Sequence, residues 1–338
     1  LFQNVSIHRV ARVDAPARLR STEIARRLRP AAERLGIRAD VLLDDVVGIR
    51  ERRVWDGCMR VADAAAMAAR KALAGSPVPP GRIGVLINTS VCRDYLEPST
   101  AAVVHGALGL AATCENFDVG NACLAFLTGM DIAARMIEHG EVDYALIVDG
   151  ESSNETTERT IERLSSPDAT ADQFRRELAS LTLGSAAAAM VLGHRALLPD
   201  GHRYRGSVSL AASAFSHLCR GTADRMVTDS ATLLDEGLEL AARTFRRAGD
   251  TFGWTGPELD EFAVHQVSKV HTDGLVDRLG IDPAKVLALY PEYGNLGPAS
   301  LPIVLSKLDE MGRLRAGTRV ALMGIGSGLN CTMAEVTW

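Results

Sequence analysis

Near position 120 the hydrophobic rhythm of the chain changes twice within a few residues. The run ENFDV reads as a short β-strand and Gly120-Asn121-Ala122 as a tight turn, and the apolar positions of LAFLTGMDIAARMIEHG then recur at helical spacing. Cys123 stands at the junction, so the pattern places one thiol at the start of a buried helix. Unpaired N–H groups and the positive end of the helix dipole favour a thiolate at such a place. A free cysteine also packs as a small hydrophobe, and this segment alone leaves both a core residue and a nucleophile open.

The same series of elements occurs twice. Helix-like Ala68-Ala69-Arg70 is matched by Ala241-Ala242-Arg243, and the strand-like run Val85 to Ser90 by Phe262 to Val267. Gly120-Asn121 is echoed by Gly294-Asn295, each followed by an amphipathic helix and then by a strand carrying Ala-Leu, at Ala145-Leu146 and Ala321-Leu322. Two copies of one α/β unit are expected to pack about a pseudo-twofold axis, with equivalent strand ends and helix starts meeting at the centre. Cys123, His265 and Asn295 all occupy such positions, and Ser327 falls in GIGSGLN just beyond the strand RVALMGI. Singly, a histidine at a strand end or an asparagine in a Gly-Asn turn is commonly structural. Their meeting in a duplicated chain points to catalysis.

Elsewhere the pattern is plainer. LTLGSAAAAMVLG is too short for a bilayer and predicts a buried strand closing the first repeat. From Asn154 to Ser180 the sequence turns charged and irregular and breaks the repeat. This predicts a cap-like insertion over about 154–180 with one or two helices, started near Ser166-Pro167-Asp168 and Thr170. A functional cap and a solvated excursion both fit. The glycines at 324, 326 and 328 do not form a dinucleotide fingerprint, because no helix or ribose-binding acid can follow them. A glycine-rich strand end instead lets backbone N–H groups approach a ligand, as an oxyanion hole requires.

Composition narrows the class. The 338 residues, 47% of them hydrophobic, suffice for a large core in one duplicated domain or two fused ones, divided at 1–195 and 196–338. A net charge of -5 argues against nucleic acid as a partner. The basic clusters RSTEIARRLR and GIRERR are interrupted by acids and read as solvated faces. Six cysteines without a C-x-x-C pair, and without a secretory leader ahead of them, are expected to be reduced thiols in a cytoplasmic enzyme. No metal-binding pattern is present, and His265 and His271, six apart, do not share a helix face.

The segments INTSVCRDYLEPST, DVGNACLAF, HQVSKVHT, YGNLGPASLPIVLSKL and GIGSGLNCTMAEV resemble the thiolase superfamily. The likeness lies on the branch of ketoacyl-ACP synthase III and HMG-CoA synthase, above all with OleA-type condensing enzymes of bacterial head-to-head hydrocarbon synthesis, and it runs nearly the whole chain. It implies an α/β thiolase fold, two pseudo-repeated halves in a five-layered αβαβα core, with the nucleophile in the first half and His and Asn in the second. It also implies a Cys123, His265, Asn295 triad, with Cys123 attacking a first acyl-CoA. Backbone N–H groups of Cys123 and Ser327 would hold the oxyanion, and His265 and Asn295 would stabilise the enolate of a second acyl-CoA.

Where ketoacyl-ACP synthase III enzymes commonly carry an apolar residue, Glu97 stands before Pro98-Ser99-Thr100. In OleA-type enzymes the matching glutamate reaches the partner subunit's site as the base. The resemblance therefore implies a homodimer performing non-decarboxylative Claisen condensation of two long-chain acyl-CoA molecules to a 2-alkyl-3-keto acid or its thioester. Coenzyme A thioesters are the substrates, with no resident cofactor, and downstream pathway enzymes are expected partners. Apolar walls around Glu97 would raise its pKa. Insertions like 154–180 shape the channel and dimer surface in related enzymes, and the resemblance puts GIRERR near the coenzyme A entrance, which makes Arg50, Arg52 or Arg53 a candidate phosphate contact. Cys331 is a decoy for the second cysteine of biosynthetic thiolases, whose place Asn295 fills. The alternatives are a malonyl-ACP-dependent enzyme of the ketoacyl-ACP synthase III kind and a non-catalytic subunit of a heterodimeric thiolase, which the intact triad argues against.

Overall fold

In a computed structural model that describes residues 1–57, 59–222 and 224–338, the duplication is visible in the order of the strands. The main sheet has nine strands among the described residues: β1 (Val5–Asp14), β2 (Val85–Asn88), β3 (Glu115–Asp118), β4 (Tyr144–Glu151), β5 (Ala186–His194), β6 (His202–Ala211), β7 (Glu261–Val264), β8 (Arg319–Gly326) and β9 (Asn330–Thr337). Their order is β7-β8-β9-β6-β1-β5-β4-β2-β3. Read outward from the centre, β6-β9-β8-β7 repeats β1-β5-β4-β2. Within this sheet, among the described residues, the halves join where Ser6 and Ile7 of β1 pair with Arg203 and His202. The outer edge that β3 fills in the first half is reduced in the second to a parallel bridge between Phe262 and Val286.

Register confirms the repeat residue by residue. Val85 pairs with Ala145 in the first half, and their counterparts Phe262 and Ala321 pair in the second. Parallel pairing at equivalent positions is what two copies of one βαβ design must show.

The helices build the layers. In chain order the α-helices longer than four residues are α1 (Ser21–Leu35), α2 (Val61–Ala74), α3 (Thr100–Leu108), α4 (Ala125–Glu138), α5 (Asn154–Ser165), α6 (Ala171–Glu177), α7 (Ser230–Phe252), α8 (Lys269–Leu279) and α9 (Ser300–Glu310). Strand alternation sends Val85, Ile87, Ala145, Ile147, Val320 and Leu322 into a central layer with Phe126 and Met130 of α4 and Ile303 and Leu305 of α9. The opposite faces carry α2 and α3 over the first half and α7 and α8 over the second. The result is αβαβα. Helix α9 is buried almost all round, as a helix between two sheets must be.

Small residues set how closely the layers meet. A Cβ on Gly150 would lie 2.4 Å from the carbonyl oxygen of Val61. The alanine run of β5 faces the alanines of α2 on one side and the central helices on the other. The buried strand expected in LTLGSAAAAMVLG begins only at Ala186, because Leu178–Thr182 closes into a 3-10 turn.

The insertion forms α5 and α6. Thr170 caps α6, its hydroxyl accepting from the Gln173 N–H at 3.1 Å, whereas Ser166 ends α5. Ile161, Leu164 and Phe174 pack with Ile24 and Leu28 of α1, so the insertion has an apolar core of its own. The wholly solvated reading of RSTEIARRLR therefore holds for one helix face only. It fails for GIRERR, where Arg52 is 0% exposed.

Candidate active site

Cys123 lies in a 3-10 turn, Ala122–Leu124, that runs directly into α4. Ala122 has φ 45°, the one left-handed non-glycine conformation among the described residues, and such strain is commonly stored at functional turns. The turn is held by side chains: Asn330 Nδ2 donates to Asn121 Oδ1 at 3.1 Å, Asn121 Nδ2 to Thr128 Oγ1 at 3.0 Å, and that hydroxyl to the Leu124 carbonyl at 3.1 Å. The helix-start position is as expected, but the thiolate is not the resting form. Burial, with smaller contributions from Cys219, Glu151 and Asp149, pushes the thiol up to about 12, overriding the favourable backbone N–H.

His265 follows β7 directly, and its backbone N–H donates to the Met323 carbonyl at 2.8 Å. Its Nε2 faces Asn295 Oδ1 at 3.3 Å, and that oxygen also accepts the Gly297 N–H at 3.0 Å. A backbone N–H can only donate, so the asparagine oxygen is fixed as an acceptor and His265 carries its proton on Nε2. Asn295 is set by the strand-like pairing of its own N–H with the Thr182 carbonyl and of its carbonyl with the Gly184 N–H, each at 2.8 Å. Gly184 is required there, since a Cβ would fall 1.9 Å from the Tyr293 oxygen.

Sequence reasoning missed Gln266. Its Nε2 donates to the Leu287 carbonyl at 2.6 Å, and its Oε1 accepts from Leu289 and Tyr290 at 2.6 and 3.0 Å. It thereby ties the end of β7 to the segment leading into Asn295. The only available signal was its place beside His265.

His271, set apart from His265 by helix periodicity, packs against it edge-on in space, with ring centroids 6.3 Å apart. Burial lowers His265 to about 3, helped by His271, and burial alone lowers His271 to about 4. Both rings are neutral at pH 7. A depressed histidine pKa means the unfolded chain takes up the proton first, so this stability is complete above about 6.5 and is lost as pH falls from there toward 4. Urea unfolding at pH 7 and pH 5 should therefore show wild type losing roughly 1–2 kcal/mol more than His271→Gln over that interval. Equal losses would contradict the neutral, buried ring.

The glycine-rich strand end is close by. A Cβ on Gly324 would lie 2.4 Å from Leu124 Cδ2, and one on Gly326 3.5 Å from the Cys123 nitrogen. Ser327 follows in the turn between β8 and β9, where Gly326 pairs with Asn330. The turn bearing Cys123 also packs on Gly297–Ala299 of the Asn295 segment. The structure thus brings the Cys123 turn, the His265–Asn295 pair and the GIGSG backbone together. Cys331 is buried on the outer face of β9 among Leu240, Ala241 and Met333, away from the central layer.

Glu97 is not among them within one protomer. It lies exposed in the loop before α3, beside Leu96, which is 90% exposed. The apolar enclosure expected for it is not built by its own chain. Of the three arginines, Arg52 departs from expectation. Arg52 is sealed inside, donating to the Leu19 carbonyl at 3.3 Å and to Ser21 Oγ at 3.1 Å, with burial lowering it to about 10, so it cannot meet a solvent-borne phosphate. Arg50 pairs with Glu292 at 3.2 Å and Arg53 stacks over Tyr293.

Two buried carboxylates had given no sequence signal. Asp149 and Glu151 point to the central layer from the end of β4, and burial raises both, with Glu151 reaching about 7. Among the described residues no group of three or more His, Cys, Asp or Glu could hold a metal ion, no helix is long and apolar enough to cross a membrane, and five cysteines are free. Cys58 lies outside the described residues.

Comparison with known proteins agrees with this architecture. The family model for 3-oxoacyl-[acyl-carrier-protein] synthase III matches residues 117–205, and the model for its C-terminal region matches 250–338. The chain belongs to the thiolase/3-oxoacyl-ACP synthase III superfamily. It is 58% identical, over all of both chains, to an acyl-CoA:acyl-CoA alkyltransferase of Xanthomonas campestris pv. campestris. A second alkyltransferase, from Shewanella oneidensis, is 33% identical over 100% of this chain and 99% of its own. The crystal structure of cerulenin-bound Xanthomonas OleA superposes with a TM-score of 0.98 at 58% identity, covering 100% of this chain and 98% of that one. A cysteine-to-serine variant with bound lauric acid and lauroyl-CoA gives the same score and identity over 100% of both.

Proposed function

We propose that this protein joins two long-chain acyl-CoA molecules by non-decarboxylative Claisen condensation, as a cytoplasmic homodimer at the first step of head-to-head olefin biosynthesis. The division into halves at 1–195 and 196–338, and downstream pathway enzymes as partners, belong to the same proposal. The observation that carries it is the convergence of Cys123, His265–Asn295 and the glycine backbone at the pseudo-twofold centre of a chain 58% identical to an alkyltransferase. Identity to a β-ketoacyl-ACP synthase III of Natranaerobius thermophilus is only 26%, which favours this reading over the malonyl-dependent one.

The chemistry balances without a cofactor. Cys123 Sγ attacks the first thioester carbonyl, and its proton ends on the departing coenzyme A sulfur. Backbone N–H groups of Cys123 and Ser327 hold the oxyanion. The second thioester oxygen receives the Nε2–H of His265 and the Nδ2–H of Asn295, while Glu97 of the partner subunit removes the α-proton. The carbanion attacks the acyl-cysteine, forming the carbon–carbon bond and breaking the bond to Sγ, which regains as a thiol the proton that Glu97 removed; water then hydrolyses the β-ketoacyl thioester to the acid and the second coenzyme A. Neutral His265 suits this electrophilic role. Support for the assignments also comes from solved Xanthomonas variants at a glutamate, a cysteine and a histidine whose spacings equal those of Glu97, Cys123 and His265.

The test uses a mixed pool of acyl-CoAs without any malonyl donor, with products read by mass spectrometry. β-Keto acids carrying both acyl chains are expected, and their absence without malonyl thioester would overturn the reading. Asn295→Ala should still acylate Cys123, while condensation falls by roughly two to three orders of magnitude, the scale for losing one oxyanion donor.

A further inference from the structure

The loop from Val91 to Ser99, which carries Glu97, is fastened to its own protomer by acidic side chains. At its far end Asp118 accepts from the N–H groups of Thr100 and Ala101 at 3.0 and 2.8 Å. In its middle Asp94 accepts from Val61 and Ala62 at 2.8 and 2.9 Å, at the start of α2. At its near end the fastening is Glu151. One carboxylate oxygen accepts the Val91 N–H at 2.6 Å and the other the Cys92 N–H at 3.3 Å. Between these ties Tyr95, Leu96, Glu97 and Pro98 stand exposed.

Asp94 and Asp118 cap helices as they hold the loop, an ordinary structural duty. Glu151 caps none. It is 5% exposed, no Lys or Arg among the described residues forms an ion pair with it, and burial disfavours its charge. Its carboxyl carbon lies 3.8 Å from where a Cβ on Gly297 would stand, and the Gly297 N–H holds Asn295. One costly buried group therefore lies beside the protomer's own Asn295 turn and holds the root of the loop that, on the function proposed above, serves the other protomer.

We propose that Glu151 is a positioning residue acting in trans: it sets the loop that delivers Glu97 to the partner's active site. Its fixed carboxylate orients two successive N–H groups at the point where the loop leaves the sheet. The exposed tip inherits that direction, and a misdirected carboxylate loses proton abstraction steeply with distance.

The inference rests on the cross-subunit role of Glu97, and mixed dimers separate the two ideas. Glu151→Gln keeps the side chain's size and one acceptor, whereas Glu151→Ala removes both and tests the limit. Homodimers of Glu151→Gln should acylate Cys123 to the wild-type extent in intact-mass measurement, which also reports folding, yet condense poorly. Coexpressed with Cys123→Ala, the Gln variant contributes an intact Cys123 and receives a properly set Glu97. About one quarter of wild-type activity should return under random pairing.

Coexpressed with Glu97→Ala, the Gln variant can supply only its own misdirected Glu97, and little should return. Should Glu151 instead serve its own Cys123 site, the two pairings exchange outcomes, and that exchange overturns the proposal. Full condensation by the Glu151→Gln homodimer, or loss of its acylation, also overturns it. The control pairing of Glu97→Ala with Cys123→Ala reports on the parent reading alone: no recovery there removes the cross-subunit base, whatever Glu151 does.

Discussion

Cys123→Ala is expected to abolish covalent acylation, lowering condensation by roughly four orders of magnitude or more, the scale seen when a nucleophile is removed. The expectation comes from position rather than from resting reactivity. The thiol sits at the head of α4 in a strained turn, with backbone N–H groups and the glycine strand of β8 alongside, but burial holds it protonated, at about 12. Its nucleophile is therefore made as it reacts, when the thiol proton leaves toward the coenzyme A sulfur. Incubation with a long-chain acyl-CoA followed by intact-mass measurement should show one acyl group on wild type and none on the variant. Cys92 is half-buried, its thiol donates to the Ser152 carbonyl at 3.2 Å, and it lies outside the turn at the head of α4, so peptide mapping should find the label on Cys123 alone. Labelling of the Ala variant at the wild-type extent would sink the assignment.

The architecture was legible because the signals that specify it are periodic and local. The repeat aligned Val85 with Phe262 and Ala145 with Ala321, and strand register reproduces both pairs, since one slipped residue would turn every side chain to the wrong face. Thr170 announced its helix for an equally local reason, a hydroxyl three residues from the N–H it caps.

What stayed hidden depends on partners far along the chain. Arg52 looked solvated among charged neighbours, yet its acceptors lie on Leu19, opposite it in a two-stranded ribbon of Ala17–Arg20 against Glu51–Val54, and on Ser21 at the start of α1. Glu151 gave no sequence signal, because its donors are some sixty residues away. The expected thiolate failed similarly. The helix start is readable from sequence, but the burial that outweighs it is a property of the assembled layers. Glu97 was picked out by family likeness, and the single chain leaves it on the surface, in a loop whose exposed Leu96 and Tyr95 suit a covered interface.

That exposure makes the fate of Glu97 the sharpest test of the non-decarboxylative route. Glu97→Ala should acylate at Cys123 as wild type does but fail to condense, whereas Cys123→Ala should do neither. In a mixed dimer of the two, one site holds both an intact cysteine and a glutamate reaching in from the partner, and the other holds neither. Random pairing makes half the dimers mixed, each with one working site in two, so about one quarter of wild-type activity should return on coexpression. Coenzyme A release measured together with β-keto acid distinguishes true condensation from mere hydrolysis of the acyl-cysteine. If heterodimers form and nothing returns, Glu97 acts within its own protomer or outside catalysis, and a malonyl-derived carbanion becomes the better account. The surface position of Glu97 argues for recovery: a carboxylate that its own chain leaves exposed can reach a buried thioester only where another chain brings the pocket to it.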